Sequence, residues 1–163
     1  MATSEKNLSE FSKEEIPSAR PYRFGIVASE WNEEITSALS DGAFKTLIEL
    51  GAIEQNIVLK TVPGTFELAV GSKLMIESES LDAVIAIGSV IQGETRHFEF
   101  VCQAAAQGIK DVGLQTRVPV IFCVLTDDTK QQAIDRSGGK HGNKGVEAAA
   151  AAVKMAHFKQ SMN

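Results

Sequence analysis

The sequence predicts an α/β fold in which helices cover both faces of a parallel sheet. Four short, continuous apolar runs lie along the chain, as expected for strands that are buried on both faces. Each run is followed by a turn and a helix-forming segment, and parallel neighbours need such crossover connections. Right-handed crossovers are almost universal in these sheets. The pattern therefore indicates a three-layer α/β/α sandwich, flavodoxin-like, with a central four-stranded parallel sheet.

Length and composition are those of an ordinary globular domain. The chain has 163 residues, enough to bury a substantial core, and 44% of them are hydrophobic. A net charge of −5 argues against a nucleic-acid surface or a basic membrane patch. The sequence also lacks an apolar run of membrane-spanning length and a hydrophobic signal-peptide centre. We therefore expect a cytoplasmic protein whose partners are small molecules or copies of the same chain.

The first unit begins after a polar segment. Residues 1–20 contain few apolar anchors, so we expect a flexible arm, followed by a single domain over residues 21–163. The first strand is predicted at residues 24–28, and a helix with Asn32 as its N-cap ends at Gly51. Trp31 lies at the carboxyl end of this strand, where an indole could stack on a planar ring. Packing in the core is the alternative.

The second unit has its strand at residues 57–62, ended by Pro63 and Gly64. Thr65 is predicted to cap the second helix, with Phe66 and Glu67 in the first turn. An early glutamate also satisfies the helix dipole without any function, so Glu67 alone does not indicate a site.

The third strand leads into a segment that matches the phosphate-binding P-loop pattern at all but one of its defining positions. Gly88 and Gly93 have the right separation and Thr95 is in place, but Glu94 occupies the position of the lysine. Because that lysine neutralises the β and γ phosphates, the sequence argues against an NTPase. What remains is a set of backbone amides near a helix start, which suits a single phosphate. The alternative is an ordinary strand-to-helix turn.

His97 follows this segment and is the candidate general acid or base, because it can titrate near neutrality. A core histidine is the alternative. The stretch from His97 to Glu99 imitates the HxE of zinc-dependent nucleobase deaminases, but no PCxxC segment completes the zinc set. Cys102 and Cys123 also lack a metal-like spacing, and we expect both to be reduced core residues. The sequence therefore argues against metal catalysis.

The fourth strand is predicted at residues 118–125 and contains Phe122. A short helix through 131–136 then leads to a glycine-rich linker at 137–142 and an alanine-rich terminal helix. The alanines suit close packing against the sheet or another subunit. Arg136 and Lys144 flank the linker, although Arg136 could simply be a cation at a helix C-terminus.

The candidate residues are expected to share one edge of the sheet. The carboxyl ends of parallel strands meet there, and open α/β sheets bind ligands at that edge. On or just after the four strands lie Trp31, residues 64–67, residues 89–97 and Phe122.

Four segments, at residues 31–33, 62–67, 86–97 and 135–148, also carry a resemblance to a known family. Across roughly residues 24–156 the chain resembles the 6,7-dimethyl-8-ribityllumazine synthases, the penultimate enzymes of riboflavin biosynthesis. The resemblance implies a transferase that condenses 5-amino-6-(D-ribitylamino)uracil with 3,4-dihydroxy-2-butanone 4-phosphate, releasing phosphate and water. It also implies that the reaction needs no metal and no redox cofactor. It implies a pentamer as the smallest assembly. The short linker further suggests a 60-subunit icosahedral shell, with riboflavin synthase as a candidate guest.

The resemblance also implies a role for each candidate residue. His97 would move protons, and a neighbouring subunit would contribute Phe122, Arg136 and Lys144. The phosphate would be held by Gly93, Glu94, Thr95 and Arg136. The pyrimidine and its ribityl arm would be held by Trp31, Asn32, Gly64, Thr65, Phe66, Glu67, Ser89, Val90, Ile91, Phe122 and Lys144.

The chain departs from the commoner family pattern at Trp31, Gln92, Glu94 and His141, and none of these changes removes a catalytic role. Glu94 is tolerable beside a phosphate if only its backbone N–H faces the ligand. Two rival interpretations stay open. One is a non-catalytic flavin-binding or cage-forming protein of the same fold, and the other is an unrelated mononucleotide binder.

Overall fold

Four parallel strands form the central sheet of the computed structural model, which describes residues 7–162. They lie in the order β2-β1-β3-β4, which confirms the predicted four-stranded parallel sheet. The central strands β1 and β3 are buried along most of their length, as their continuous apolar runs predict, whereas β2 and β4 are partly exposed edges. The strands are β1 (Phe24–Ser29), β2 (Ile57–Val62), β3 (Ala83–Ile91) and β4 (Val120–Asp127).

Within residues 7–162, five α-helices cover the two faces of this sheet. Alternate residues of β3 serve the two cores, because successive side chains of a strand point to opposite faces. Ile85 and Ile87 join the core under α1 and α5, while Val84 and Ala86 join the core under α2 and α3. The helices are α1 (Glu33–Glu49), α2 (Leu68–Ser78), α3 (His97–Thr116), α4 (Lys130–Arg136) and α5 (Lys144–Ser161).

The alanine-rich helix α5 packs against α1 and the sheet of its own chain. Ala149 and Ala152 are fully buried there, and the inner face begins with Gly145, which lies against the backbone of Leu39. Because this packing occurs within the subunit, the alanine run gives no support to an interface between subunits.

Several predicted boundaries are wrong. β3 does not end at Gly88 but continues through Ile91, because it pairs with β4 as far as Asp127. The second helix begins at Leu68, after a 3-10 turn at Thr65–Glu67, and the Thr65 side chain does not cap it. The linker after α4 forms two short antiparallel strands, β5 (Ser137–Gly139) and β6 (Gly142–Asn143).

The predicted flexible arm covers residues 1–20, of which 1–6 lie outside the described residues. Residues 7–9 contact the β5–β6 hairpin. The Leu8 amide donates to the His141 carbonyl at 2.8 Å, and the Asn143 amide donates to Ser9 Oγ at 2.9 Å. Ala19 is fully buried in the core. The mobility of the segment stays a prediction.

Candidate active site

A cleft of about 770 Å³ opens at the carboxyl edge of the sheet, over the ends of β1, β2 and β3. Parallel topology explains why residues far apart in sequence meet there. Pro63, Phe98 and Val101 also line it and were not predicted, because nothing in their local sequence separates them from packing residues. The predicted site residues that line the cleft are Trp31, Asn32, Gly64, Thr65, Phe66, Glu67, Ser89, Val90, Ile91, Gly93, Thr95 and His97.

The loop after β1 is tied to β3 by Asn32. Its backbone is left-handed, with φ 61° and ψ 46°, a conformation that asparagine tolerates better than most residues. The side chain does not cap α1. Its Nδ2 instead donates to the Ser89 carbonyl at 2.9 Å. Trp31, just before it, is 72% exposed at the rim of the cleft, so the alternative of a core tryptophan is wrong.

The turn after β2 supplies a buried hydroxyl and an exposed aromatic ring. Thr65 is buried and its Oγ1 has no hydrogen-bond partner, whereas Phe66 is exposed at the cleft. A Cβ at Gly88 would lie 2.7 Å from that hydroxyl oxygen, so the glycine lets the turn pack on β3. Gly88 is therefore a strand residue with a packing role, and the resemblance of this segment to a P-loop does not extend to its structure.

The loop between β3 and α3 carries Gly93, Glu94 and Thr95 in front of the first turn of α3. Thr95 Oγ1 accepts from the His97 amide at 3.4 Å. A 20-residue helix starts here, and its positive end and free amides favour an anion. The Glu94 side chain is exposed and is not part of the cleft lining.

His97 is the first residue of α3, and its side chain lies in the cleft, exposed to solvent. The alternative of a buried core histidine is therefore wrong. His97 lines the same cleft as Gly93, Thr95 and the turn after β2, so a ligand in the cleft could meet all of them.

The other three predicted residues lie away from the cleft within the described chain. Phe122 is in the middle of β4, opposite Ala86, and lines a different groove. The Arg136 Nη1 donates to the Gln132 carbonyl at 3.1 Å. Lys144 Nζ lies 2.9 Å from Glu147 Oε1.

Asp127, at the carboxyl end of β4, is a residue that the sequence reasoning missed. It is only 7% exposed, and its Oδ1 lies 3.7 Å from Arg136 Nη1. Burial raises the pKa of this carboxyl, the Arg136 charge lowers it, and Asp128 raises it, with a net increase. The sequence pattern predicts a turn residue when an aspartate follows an apolar run. The burial of Asp127 is therefore apparent only from the structure.

The two thiols differ in burial. Cys123 is fully buried in β4, and burial raises its pKa to about 12, so the thiol is neutral. Cys102 is only partly buried on α3, and burial raises its pKa as well.

Residues 7–162 contain no group of three His, Cys, Asp or Glu side chains that could hold a metal ion. Over the same residues, no helix is long and apolar enough to cross a membrane.

Comparison with known proteins places the chain. A family model described as 6,7-dimethyl-8-ribityllumazine synthase matches residues 21–160, which include every element around the cleft. A protein of that name from Flavobacterium johnsoniae is 59% identical over 160 residues, which are 98% of this chain and 84% of the relative. The one from Christiangramia forsetii is 59% identical over 161 residues, 98% of this chain and 96% of the relative. The one from Cytophaga hutchinsonii is 54% identical over 155 residues, with 95% and 97% covered. The chain belongs to the 6,7-dimethyl-8-ribityllumazine synthase family.

Proposed function

We propose that this protein condenses 5-amino-6-(D-ribitylamino)uracil with 3,4-dihydroxy-2-butanone 4-phosphate to give 6,7-dimethyl-8-ribityllumazine, inorganic phosphate and water. This is the penultimate step of riboflavin biosynthesis. One observation carries the proposal: a single cleft joins an exposed indole, a histidine and an anion-favouring loop at a helix start. These are the groups that a planar amine substrate and a phosphorylated ketone require. The membership of the family supports the same reaction.

The pyrimidine substrate binds between the ends of β1, β2 and β3. Trp31 stacks on the ring, and the backbone of Ser89–Ile91 at the end of β3 hydrogen-bonds its polar edge. Asn32 fixes the loop that carries the indole through its bond to the Ser89 carbonyl. The ribityl arm lies along the turn after β2, near Gly64, Thr65, Phe66 and Glu67.

The phosphorylated ketone binds with its phosphate at the loop before α3. Backbone amides of Gly93–Thr95 and the positive end of the helix hold the anion. Glu94 does not line the cleft, which supports a phosphate site from which its carboxylate is excluded.

His97 moves the protons of the reaction. The amine of the pyrimidine adds to the ketone carbonyl and expels water to form an imine, and a C–H proton then leaves as phosphate departs from the adjacent carbon. The enol that remains tautomerises to a second ketone, and the ribitylamino nitrogen adds to this ketone and expels a second water to close the ring. Each step needs a group that takes up or releases a proton near neutral pH. His97 lies in the cleft immediately after the phosphate loop, within the reach of these events.

Two separate exposed apolar surfaces support an assembly with shared sites. Four large apolar side chains are exposed on the turn after β2 and on α2 and α3, and one of them, Phe66, lines the cleft. We call this set the cleft-side patch: Phe66, Val70, Leu74 and Phe100. The β4 groove, of about 820 Å³, includes Leu114, Phe122, Met155, Phe158 and Met162. Pairing one surface with the other is a head-to-tail contact, which closes into a ring when the rotation allows.

The proposed assembly is a pentamer in which the β4 groove of one subunit covers the cleft-side patch of the next. That contact brings Phe122, Arg136 and Lys144 of the neighbour to the cleft, where Arg136 supplies the phosphate cation that the loop lacks. The short β5–β6 hairpin suits further assembly into a 60-subunit shell, with riboflavin synthase as the candidate guest. The two free cysteines fit a cytoplasmic location.

The direct test is turnover. Purified protein is mixed with both substrates, and lumazine formation is followed by its absorbance, with His97→Ala as the control. Turnover that depends on both substrates is expected. Tight flavin binding with no lumazine formed would favour the non-catalytic alternative.

A further inference from the structure

We propose that Asp127 is a positioning residue that holds the Arg136 guanidinium in the orientation in which it meets the substrate phosphate. The inference rests on the proposed function, in which Arg136 binds the phosphate of the butanone substrate. Asp127 itself does not touch substrate in this proposal and acts only through the arginine.

The backbone of Asp127 is fixed by the sheet. It is the last residue of β4 and pairs in register with Ile91 of β3. Its carbonyl accepts a hydrogen bond from the Gln92 amide at 2.9 Å, which fixes the backbone at the end of the strand. Any group that Asp127 holds therefore keeps a defined place at the carboxyl edge of the sheet.

The side chain of Asp127 is an incompletely satisfied buried acceptor. The residue is 7% exposed, and its Oδ2 has no hydrogen-bond partner in the described chain. A buried carboxylate oxygen without a donor is unfavourable, and the nearby cation is Arg136, 3.7 Å from Oδ1. A small rotation of the guanidinium would let it donate to both carboxylate oxygens.

Arg136 is also held by a carbonyl of its own helix, through the same Nη1 that faces Asp127. Its Nη1 donates to the Gln132 carbonyl, and Gln132 belongs to a capping box with Thr129 that fixes the start of α4. A guanidinium has five N–H donors in a planar fork. With one edge held by the carbonyl and the carboxylate, the opposite edge is free to meet phosphate oxygens in the paired geometry that arginine favours.

The test is Asp127→Asn in the assembled enzyme, with each substrate varied in turn. The KM for the butanone phosphate should rise about three- to tenfold, which lies in the lower part of the coupling range for groups in contact. The inhibition constant of inorganic phosphate should rise in parallel, while the kcat and the KM for the pyrimidine change little. Asp128→Asn is the matched control, because it removes the same charge from an exposed neighbour, and it should leave both KM values unchanged.

A double-mutant cycle separates positioning from a general structural effect. In an Arg136→Ala background, Asp127→Asn should have no further effect on the KM for the phosphate substrate, because its only route of action has been removed. If Asp127→Asn does not assemble, Asp127→Thr is measured in its place, since threonine suits a strand end.

Four results would overturn the inference. Asp127→Asn could leave the phosphate KM unchanged, could lower it, as expected if the carboxylate competes with phosphate, or could raise it equally in the Arg136→Ala background. If Arg136→Ala itself leaves that KM unchanged while the enzyme turns over, Arg136 is not the clamp and the inference fails with it. Absence of turnover in the unmodified enzyme would instead refute the proposed function.

Discussion

Trp31 is the only tryptophan of the chain and stands exposed at the rim of the cleft. If it stacks on the pyrimidine, saturation with the lumazine product should quench its fluorescence, because the indole then contacts a flat conjugated ring. A Trp31→Phe variant keeps a smaller ring and should bind the product about three- to tenfold more weakly. Unchanged emission at saturation would contradict stacking.

Arg136 and His97 should fail in different ways when each is replaced by alanine. Arg136→Ala should raise the KM for the butanone phosphate about ten- to a hundredfold, since a charged hydrogen bond is worth roughly 1.5–3 kcal/mol.

His97→Ala should lower kcat by about a hundredfold or more with small changes in either KM, because proton transfer acts in the transition state. Steady-state kinetics with each substrate varied in turn measures both. An equal rise of both KM values in Arg136→Ala would make Lys144 the next candidate for the clamp.

The contrast between Trp31 and Asp127 shows which residues a sequence can reveal. An aromatic ring or a histidine just after an apolar strand can be placed at the ligand edge, because parallel topology decides where that edge lies. The burial of Asp127 depends on α4 folding back over the end of β4, and the placement of Asn32 depends on a left-handed backbone. Both are tertiary effects that leave no local pattern.

At the scale of the elements, helices α1 and α5 approach each other closely at Gly145, which leaves no space for a side chain. A Cβ at Gly145 would overlap the carbonyl oxygen of Leu39, so Gly145→Ala must push the two helices apart. We expect a loss of about 1–3 kcal/mol in the free energy of unfolding, measured by denaturant titration. Gly93→Ala is the control, because a Cβ there meets nothing within 4 Å and should change stability by less than about 0.5 kcal/mol. Similar losses in both variants would contradict the packing argument.

The element boundaries show the limits of periodicity. The sequence predicts that the apolar run of β3 gives way to a glycine-bounded loop at Gly88, yet pairing with β4 continues the strand to Ile91. Thr65 is predicted to cap the helix because threonine favours that position, but its side chain instead packs against Gly88 of β3. In both cases the competing contact comes from a different element, which local propensity does not include.

At the scale of the whole molecule, the head-to-tail arrangement predicts a result that differs from that of a two-fold contact, in which each surface pairs with its own copy. Leu74→Glu damages the cleft-side patch and Phe158→Glu damages the β4 groove, so neither variant should form rings alone. Mixing the two leaves one intact surface on each chain. A heterodimer with a restored site should therefore form, as checked by native mass spectrometry and a turnover assay. Two monomeric species after mixing would contradict the arrangement.

The distance of Arg136 from the cleft of its own chain has a genetic consequence. If every site takes His97 from one subunit and Arg136 from the next, a gene that lacks the histidine and a gene that lacks the arginine each encode an assembly whose sites are all impaired. Expressed together in one cell, they give mixed rings in which about a quarter of the sites join two intact halves. Two recessive alleles of the same gene would then complement each other and relieve a riboflavin requirement that neither relieves alone.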